Sequence, residues 1–274
     1  MLEFPNCKIN IGLNVTSKRE DGFHNIETIF YPLPWCDVLE IIPLRGASPK
    51  PVVLHLSGLT VPGATDDNIC IKAATILRQD FPEISPLEIH LHKAIPSGAG
   101  LGGGSADGAF TLTLLNRIFE LKLSANQLTA YALRLGSDCP FFINNSACFA
   151  TGRGELMVPV SLDLSAYTFV LINPGIHINT GWAFSQLTPE KPSQKLIDLI
   201  KQPVSEWKNL IRNDFEAPVL KQYSQIAAIK NEMYTKGALF AAMTGTGSTV
   251  YGIFEKNIPE KIQWNKNHLV RIIG

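Results

Sequence analysis

An α+β fold in two domains is predicted by three features of the sequence. The chain has 274 residues, long for one core and comfortable for two. Its first half mixes alternating apolar runs with helical spacings on either side of a Gly-rich loop. Its second half changes texture, with proline-bearing polar stretches and a second Gly/Thr loop between strand-like runs. The change puts a boundary near residue 155, giving domains 1–155 and 156–274.

The elements follow in order. Cys7 to Val15 alternates, with Ile9, Ile11, Leu13 and Val15 on one face, and predicts a strand. Asp37 to Ile42 and Val52 to Leu56 predict two more. Asn68 to Phe81 has helical spacing through Ile69, Ala73, Ile76, Leu77 and Phe81. Leu87 to Leu91 alternates again and runs into the loop Pro96 to Gly104, after which Ser105 to Phe119 predicts a helix. Ser124 with Gln127 three positions on is a capping-box pattern, opening a helix to Leu135. Phe149 to Val160 carries the turn Gly152-Arg153-Gly154. In the second half, Thr168 to Asn173, Ala238 to Ala242 and Val250 to Phe254 predict strands. Gly181 to Gln186 and Asp214 to Lys236 predict helices.

Composition narrows the function. Lys plus Arg equals Asp plus Glu at 24 each, which argues against a nucleic-acid binder with its basic surplus. The five cysteines show no C-x-x-C spacing, so neither a disulfide framework nor a Cys-based zinc site is expected. Free thiols fit a reducing cytoplasm. Met1 to Asn10 has no apolar signal core, no run is apolar enough for a bilayer, and no basic transit segment is present. A cytoplasmic protein with no membrane partner is therefore expected.

The loop carries five glycines among the seven positions Gly98 to Gly104, more than a tight turn needs. A strand feeds it and a helix leaves it. Glycine lets backbone N–H groups converge on one spot, and the helix N-terminus adds partial positive charge, a combination suited to a phosphate chain. A Walker loop would need Lys before Ser105, where Gly104 stands. Gly98, Gly100 and Gly103 fit G-x-G-x-x-G, with Glu120 about 20 residues on. Roughly ninety residues of other structure precede them, however, and Glu120 falls at a helix end, unlike a dinucleotide fold. Neither the protein-kinase H-R-D and D-F-G motifs nor G-x-S-x-G occurs. His90 and His92 alternate on a strand, but no third metal ligand is apparent near them in sequence, so no metal site is predicted there.

Pro96, Gly100, Leu101 and Gly102 resemble the second motif of the GHMP kinases. Lys8-Ile-Asn10-Ile-Gly-Leu and Met243-Thr-Gly245-Thr-Gly247-Ser-Thr249 resemble the first and third. Together they run in order across nearly the whole chain. The stretch Arg19 to Phe30, with Asp21-Gly22-Phe23-His24, resembles one branch, the 4-diphosphocytidyl-2-C-methyl-D-erythritol kinases. Members often carry Tyr where this chain has Phe23, and serines where it has Thr244 and Thr246.

The resemblance implies a two-domain GHMP kinase fold: a ribosomal protein S5 domain 2-like N-terminal domain and a ferredoxin-like C-terminal domain, with substrate in the cleft between. It implies ATP-dependent phosphorylation of a small molecule bearing a cytidine diphosphate group. Asp138, in Gly136-Ser-Asp138-Cys-Pro140, would accept the hydroxyl proton, with Lys8 as its cationic partner. Pro96, Gly98, Gly100, Leu101, Gly102, Gly103, Gly104 and Ser105 would hold the triphosphate, Mg2+ bridging its oxygens, with Asn68 and Lys93 near the adenine. Phe23 and His24 would hold the cytosine by stacking and edge hydrogen bonds. Asn10 and Thr180 would line the substrate pocket, with Phe30 and Phe184 as its aromatic walls. The alternatives are another GHMP enzyme, of the mevalonate or homoserine type, and a catalytically silent ligand-binding relative. The presence of both Asp138 and Lys8 argues against silence.

Overall fold

The computed structural model describes residues 1–46, 50–256 and 264–274. The period-two runs become strands. In chain order these are β1 (Leu2–Glu3), β2 (Asn6–Lys18), β3 (His24–Cys36), β4 (Val38–Pro43), β5 (Val52–Gly58), β6 (Leu87–Lys93), β7 (Cys148–Thr151), β8 (Leu156–Pro159), β9 (Tyr167–Asn173), β10 (Phe240–Met243), β11 (Val250–Glu255) and β12 (Leu269–Ile273). The α-helices are α1 (Ile69–Asp80), α2 (Gly103–Ile118), α3 (Ala125–Leu135), α4 (Phe141–Asn144), α5 (Thr180–Ser185), α6 (Leu196–Leu199), α7 (Trp207–Leu210), α8 (Glu216–Gln222) and α9 (Ser224–Thr235). Among the described residues no helix is long and apolar enough to cross a membrane.

By contacts the chain forms two compact units that interleave along the sequence. One comprises Met1–Cys7, Pro34–Ser97 and Gly102–Ser146, and the other Lys8–Leu33, Gly98–Leu101 and Ala147–Gly274. The first unit holds the sheet β1-β4-β6-β5. β5 and β6 pair in parallel, which requires a crossover, and α1 supplies it. Leu87, Ile89 and Leu91 of β6 face inward onto Leu77 of α1 and Leu112 and Leu115 of α2. Asn68 caps α1 by accepting from the Cys70 amide at 2.9 Å. The Ser124–Gln127 capping box opens α3 as its sequence predicts.

The second unit holds two sheets, β2-β3-β7-β8 and β10-β11-β9-β12. The latter is antiparallel throughout. Counting its strands in chain order gives the arrangement second, third, first, fourth, which is the ferredoxin-like order. α8 and α9 pack on it through Phe215, Val219, Ile226, Ile229 and Met233.

The structure differs from the sequence reading at several elements. The expected helix Asp214 to Lys236 is two helices broken at Tyr223, whose backbone leaves the helical region (φ −121°, ψ 85°) and whose ring meets Trp182 edge-on. The helix after the Gly-rich loop begins at Gly103 instead of Ser105. The 13-residue strand β3 was not anticipated, because Pro32 and Pro34 interrupt its pattern as breakers would.

Candidate active site

The Gly-rich loop is divided between the two units: Gly98–Leu101 belongs to the second, and Pro96, Ser97 and Gly102–Ser105 to the first. Each part is held by its own unit.

In the first unit, β6 carries the chain to the loop and α2 carries it away. α2 starts from Gly102, which takes a left-handed conformation (φ 71°) and offers no side-chain cap. The first amides of a helix have no intrahelical acceptor. Asn68, Ser124 and Asn179 meet that need at α1, α3 and α5; α2, like α9 and the shorter helices α4 and α6–α8, has no side-chain cap. A side chain at Gly104 would meet no atom within 4 Å. The start of α2 is thus open and able to receive an anion.

Beneath it lies a charge cluster. Lys93 falls on the inward register of β6 and is 3% exposed. Its ammonium donates to Asp37, and to Asp107 of α2 at 2.6 Å. Asp37 also accepts the Ala94 and Ile95 amides, at 2.6 and 2.8 Å. One carboxylate thus grips the chain entering the loop, and the lysine ties it to the helix leaving it. Burial works against the Lys93 charge, but the two carboxylates outweigh it and raise its pKa. The Asp107 carboxyl is pushed up to about 8, first by burial and then by Asp37, against the pull of Lys93. Asp107 Oδ1 has no hydrogen-bond partner. Lys93 therefore lies under the loop, its ammonium committed to the two carboxylates, and Asn68 is committed to capping α1.

Asp138 lies half-buried in the turn between α3 and α4, where its carbonyl accepts the Phe141 amide at 3.3 Å. Next to it, Cys139 is buried and its thiol is pushed up to about 12, chiefly by desolvation.

In the second unit, Thr244 clamps the loop's middle, its hydroxyl donating to the Gly100 carbonyl at 2.9 Å. The Leu101 carbonyl accepts the Lys8 amide at 2.9 Å. Lys8 Nζ donates to Asn10 Oδ1 at 2.6 Å and lies 4.7 Å from the Phe30 ring centroid. Asn10 Nδ2 donates to Thr28, whose hydroxyl donates to the Gly12 carbonyl. Asn10 is only 2% exposed and works as the hub that aims Lys8. Phe30 forms a buried floor at 1% exposure.

The predicted cytosine residues sit together. Phe23 is 53% exposed. His24 stacks on Phe184, which meets Phe215 edge-on at 4.8 Å. Burial, then the charge of Lys18, lowers the His24 pKa and favours its neutral ring. Thr180 is exposed at the first position of α5, 3.5 Å from the Thr246 hydroxyl. Sequence reasoning missed Arg153, whose guanidinium lies 4.8 Å from the Phe23 ring centroid. It also missed Asp37 and Asp107.

The model of the GHMP kinases N terminal domain matches residues 68–146, and that of the GHMP kinases C terminal matches 196–264. A 4-diphosphocytidyl-2-C-methyl-D-erythritol kinase of Bacteroides fragilis is 52% identical over 254 residues, covering 93% of this chain and 92% of its own. That of Cytophaga hutchinsonii is 47% identical over 100% of this chain and 99% of its own. A crystal structure of a 4-(cytidine 5'-diphospho)-2C-methyl-D-erythritol kinase superposes with a TM-score of 0.79 at 28% identity, covering 92% of this chain and 90% of that one. The chain therefore belongs to the GHMP kinases, and within them to the 4-diphosphocytidyl-2-C-methyl-D-erythritol kinase family.

Proposed function

We infer that the protein transfers the γ-phosphoryl group of ATP to the 2-hydroxyl of 4-diphosphocytidyl-2-C-methyl-D-erythritol, a step of non-mevalonate isoprenoid precursor synthesis in the cytoplasm. The reading rests on family membership at 52% identity across 93% of the chain. The exposed Phe23 beside the His24–Phe184 stack supports the choice of a cytidine-bearing acceptor over mevalonate or homoserine, which carry no base to stack. The cytoplasmic assignment draws on the five free cysteines.

In this mechanism the nucleotide lies with its phosphates on the loop amides and the uncapped start of α2. Mg2+ on the phosphate oxygens would neutralise charge there, with Ser105 in the first turn of α2 as the residue to hold it. The acceptor hydroxyl is positioned toward the γ-phosphorus. Its oxygen forms the new P–O bond as the bond to the β–γ bridging oxygen breaks, and ADP leaves. Asp138 takes the hydroxyl proton, and Lys8, aimed by Asn10, steadies the negative charge on the carboxylate and the transferring group. Lys93 and Asn68 act through the backbone: one holds the loop's two ends together, and the other sets the start of α1.

Phosphorus NMR of a mixture with ATP and the cytidine substrate tests this reading. The expected result is one new phosphomonoester signal growing as the γ-phosphate signal declines. Release of inorganic phosphate with the acceptor unchanged would contradict it.

A further inference from the structure

The first unit carries a side-chain cluster that phosphoryl transfer does not use. On β5 and β6, His55 and His90 are direct partners in the parallel register. Their rings stack with centroids 4.5 Å apart and planes 13° apart. Glu88, two positions before His90 and so on the same face of β6, brings Oε2 to 3.6 Å from His90 Nε2. One nitrogen from each histidine and one Glu88 oxygen all lie within 4.8 Å of one another. The face is the outer one, since Leu87, Ile89 and Leu91 turn inward between these residues. Glu40 of β4, the register partner of His90, puts a further carboxylate on the same face.

We propose that His55, Glu88 and His90 form a binding site for a divalent transition metal ion of the zinc type. Two imidazoles and one carboxylate are a donor set that such ions accept, with water completing the coordination. Tetrahedral ligands about 2.0–2.1 Å from zinc stand about 3.4 Å apart. Small side-chain rotations close the three groups to that spacing, because paired strands already fix their backbones. Hard Mg2+ prefers an all-oxygen shell, so the site is chemically distinct from any Mg2+ on nucleotide phosphates. A bound ion ties β5 to β6, the strand that leads to the Gly-rich loop. The sequence pairs His90 with His92, but in the fold His92 turns to the Ser57 hydroxyl at 2.9 Å. The third ligand, His55, comes from the neighbouring strand β5, where it is the register partner of His90.

The test uses the full chain, stripped with chelator and free of nucleotide. Zn2+ is titrated by calorimetry, and Co2+ by its visible absorption. One Zn2+ per chain, a tetrahedral Co2+ spectrum and a zinc-dependent rise in the unfolding midpoint are expected. His55→Ala and His90→Ala should each weaken zinc binding about 10- to 100-fold, while His92→Ala binds like the parent. Circular dichroism checks that each variant is folded. Absence of zinc binding in the parent, or equal binding in folded His55→Ala and His90→Ala, would overturn the proposal.

Discussion

His24 and Phe184 lie ring on ring, with centroids 4.7 Å apart and planes 18° apart. Phe215 meets Phe184 edge-on at 4.8 Å. In the proposed function this pair is the surface for the cytosine, and burial, then Lys18, lowers the His24 pKa and so favours its neutral ring. Stacking on such a platform is worth about 1–3 kcal/mol per base. Phe184→Ala should raise KM for the cytidine substrate roughly 5- to 150-fold on that scale and leave KM for ATP nearly unchanged. Protonation would add charge to the stack, so KM for the cytidine substrate should rise as the pH falls through the lowered His24 pKa. His24→Ala should lose that pH dependence. Steady-state kinetics with each substrate varied in turn check both statements.

The Asp37–Lys93–Asp107 cluster predicts a stability effect with a definite sign. Lys93→Met leaves the buried Asp37 carboxylate without its cation and the Asp107 carboxyl without its donor, and should cost about 3–5 kcal/mol of folding stability. The Asp107 carboxyl is pushed up to about 8 in the folded chain, against about 3.9 unfolded. The folded state therefore holds a proton that the unfolded state releases, and stability falls as pH rises from about 4 toward 8. Asp107→Asn keeps a neutral hydrogen-bonding group and should flatten this dependence. Urea unfolding of both proteins across that range measures the difference.

Two glycines of the loop separate fold from ligand. Gly100 has φ +78°, and a Cβ there would lie 2.0 Å from the Thr244 carbonyl oxygen. Gly100→Ala should destabilise the protein by at least about 1–2 kcal/mol. A Cβ at Gly104 meets nothing, so Gly104→Ala should keep or gain up to about 1 kcal/mol of stability. Any loss of ATP affinity in that variant then reports the phosphates themselves. Calorimetric ATP titration beside thermal unfolding distinguishes the two.

The proton acceptor is tested by Asp138→Asn, which keeps shape and removes basicity. Turnover should fall about 10²–10⁴-fold, with substrate binding little changed. Lys8→Met removes the ammonium that Asn10 orients and should also lower turnover. If the two side chains act together, the double variant is scarcely worse than the poorer single one. Multiplicative losses measured by single-turnover kinetics would show separate roles.

Much of the fold was legible because its strands and helices obey their own periods. β2, β4, β5, β6 and α1 lie where the patterns put them, and Ser124 and Gln127 close their capping box. The short edge strands β1 and β12 and the proline-bearing β3 lacked a readable period. The Lys93 cluster was hidden because Asp37 is 56 positions away and Asp107 is 14. A signal did exist: Lys93 continues the inward series Leu87, Ile89, Leu91, and a lysine in that register needs buried partners. The His24–Phe184 pairing was legible only as membership of one pocket. Their ring-on-ring contact depends on α5 and β3 packing, which no local pattern encodes.

Acceptor choice tests the central claim most directly. Turnover is measured by coupled ATP consumption with 4-diphosphocytidyl-2-C-methyl-D-erythritol, mevalonate, homoserine and galactose, each confirmed by identification of the phosphorylated product. Phe23, His24 and Phe184 predict that only the cytidine-linked acceptor supports turnover. A kcat/KM on any of the other three equal to that on the cytidine-linked acceptor would contradict the account.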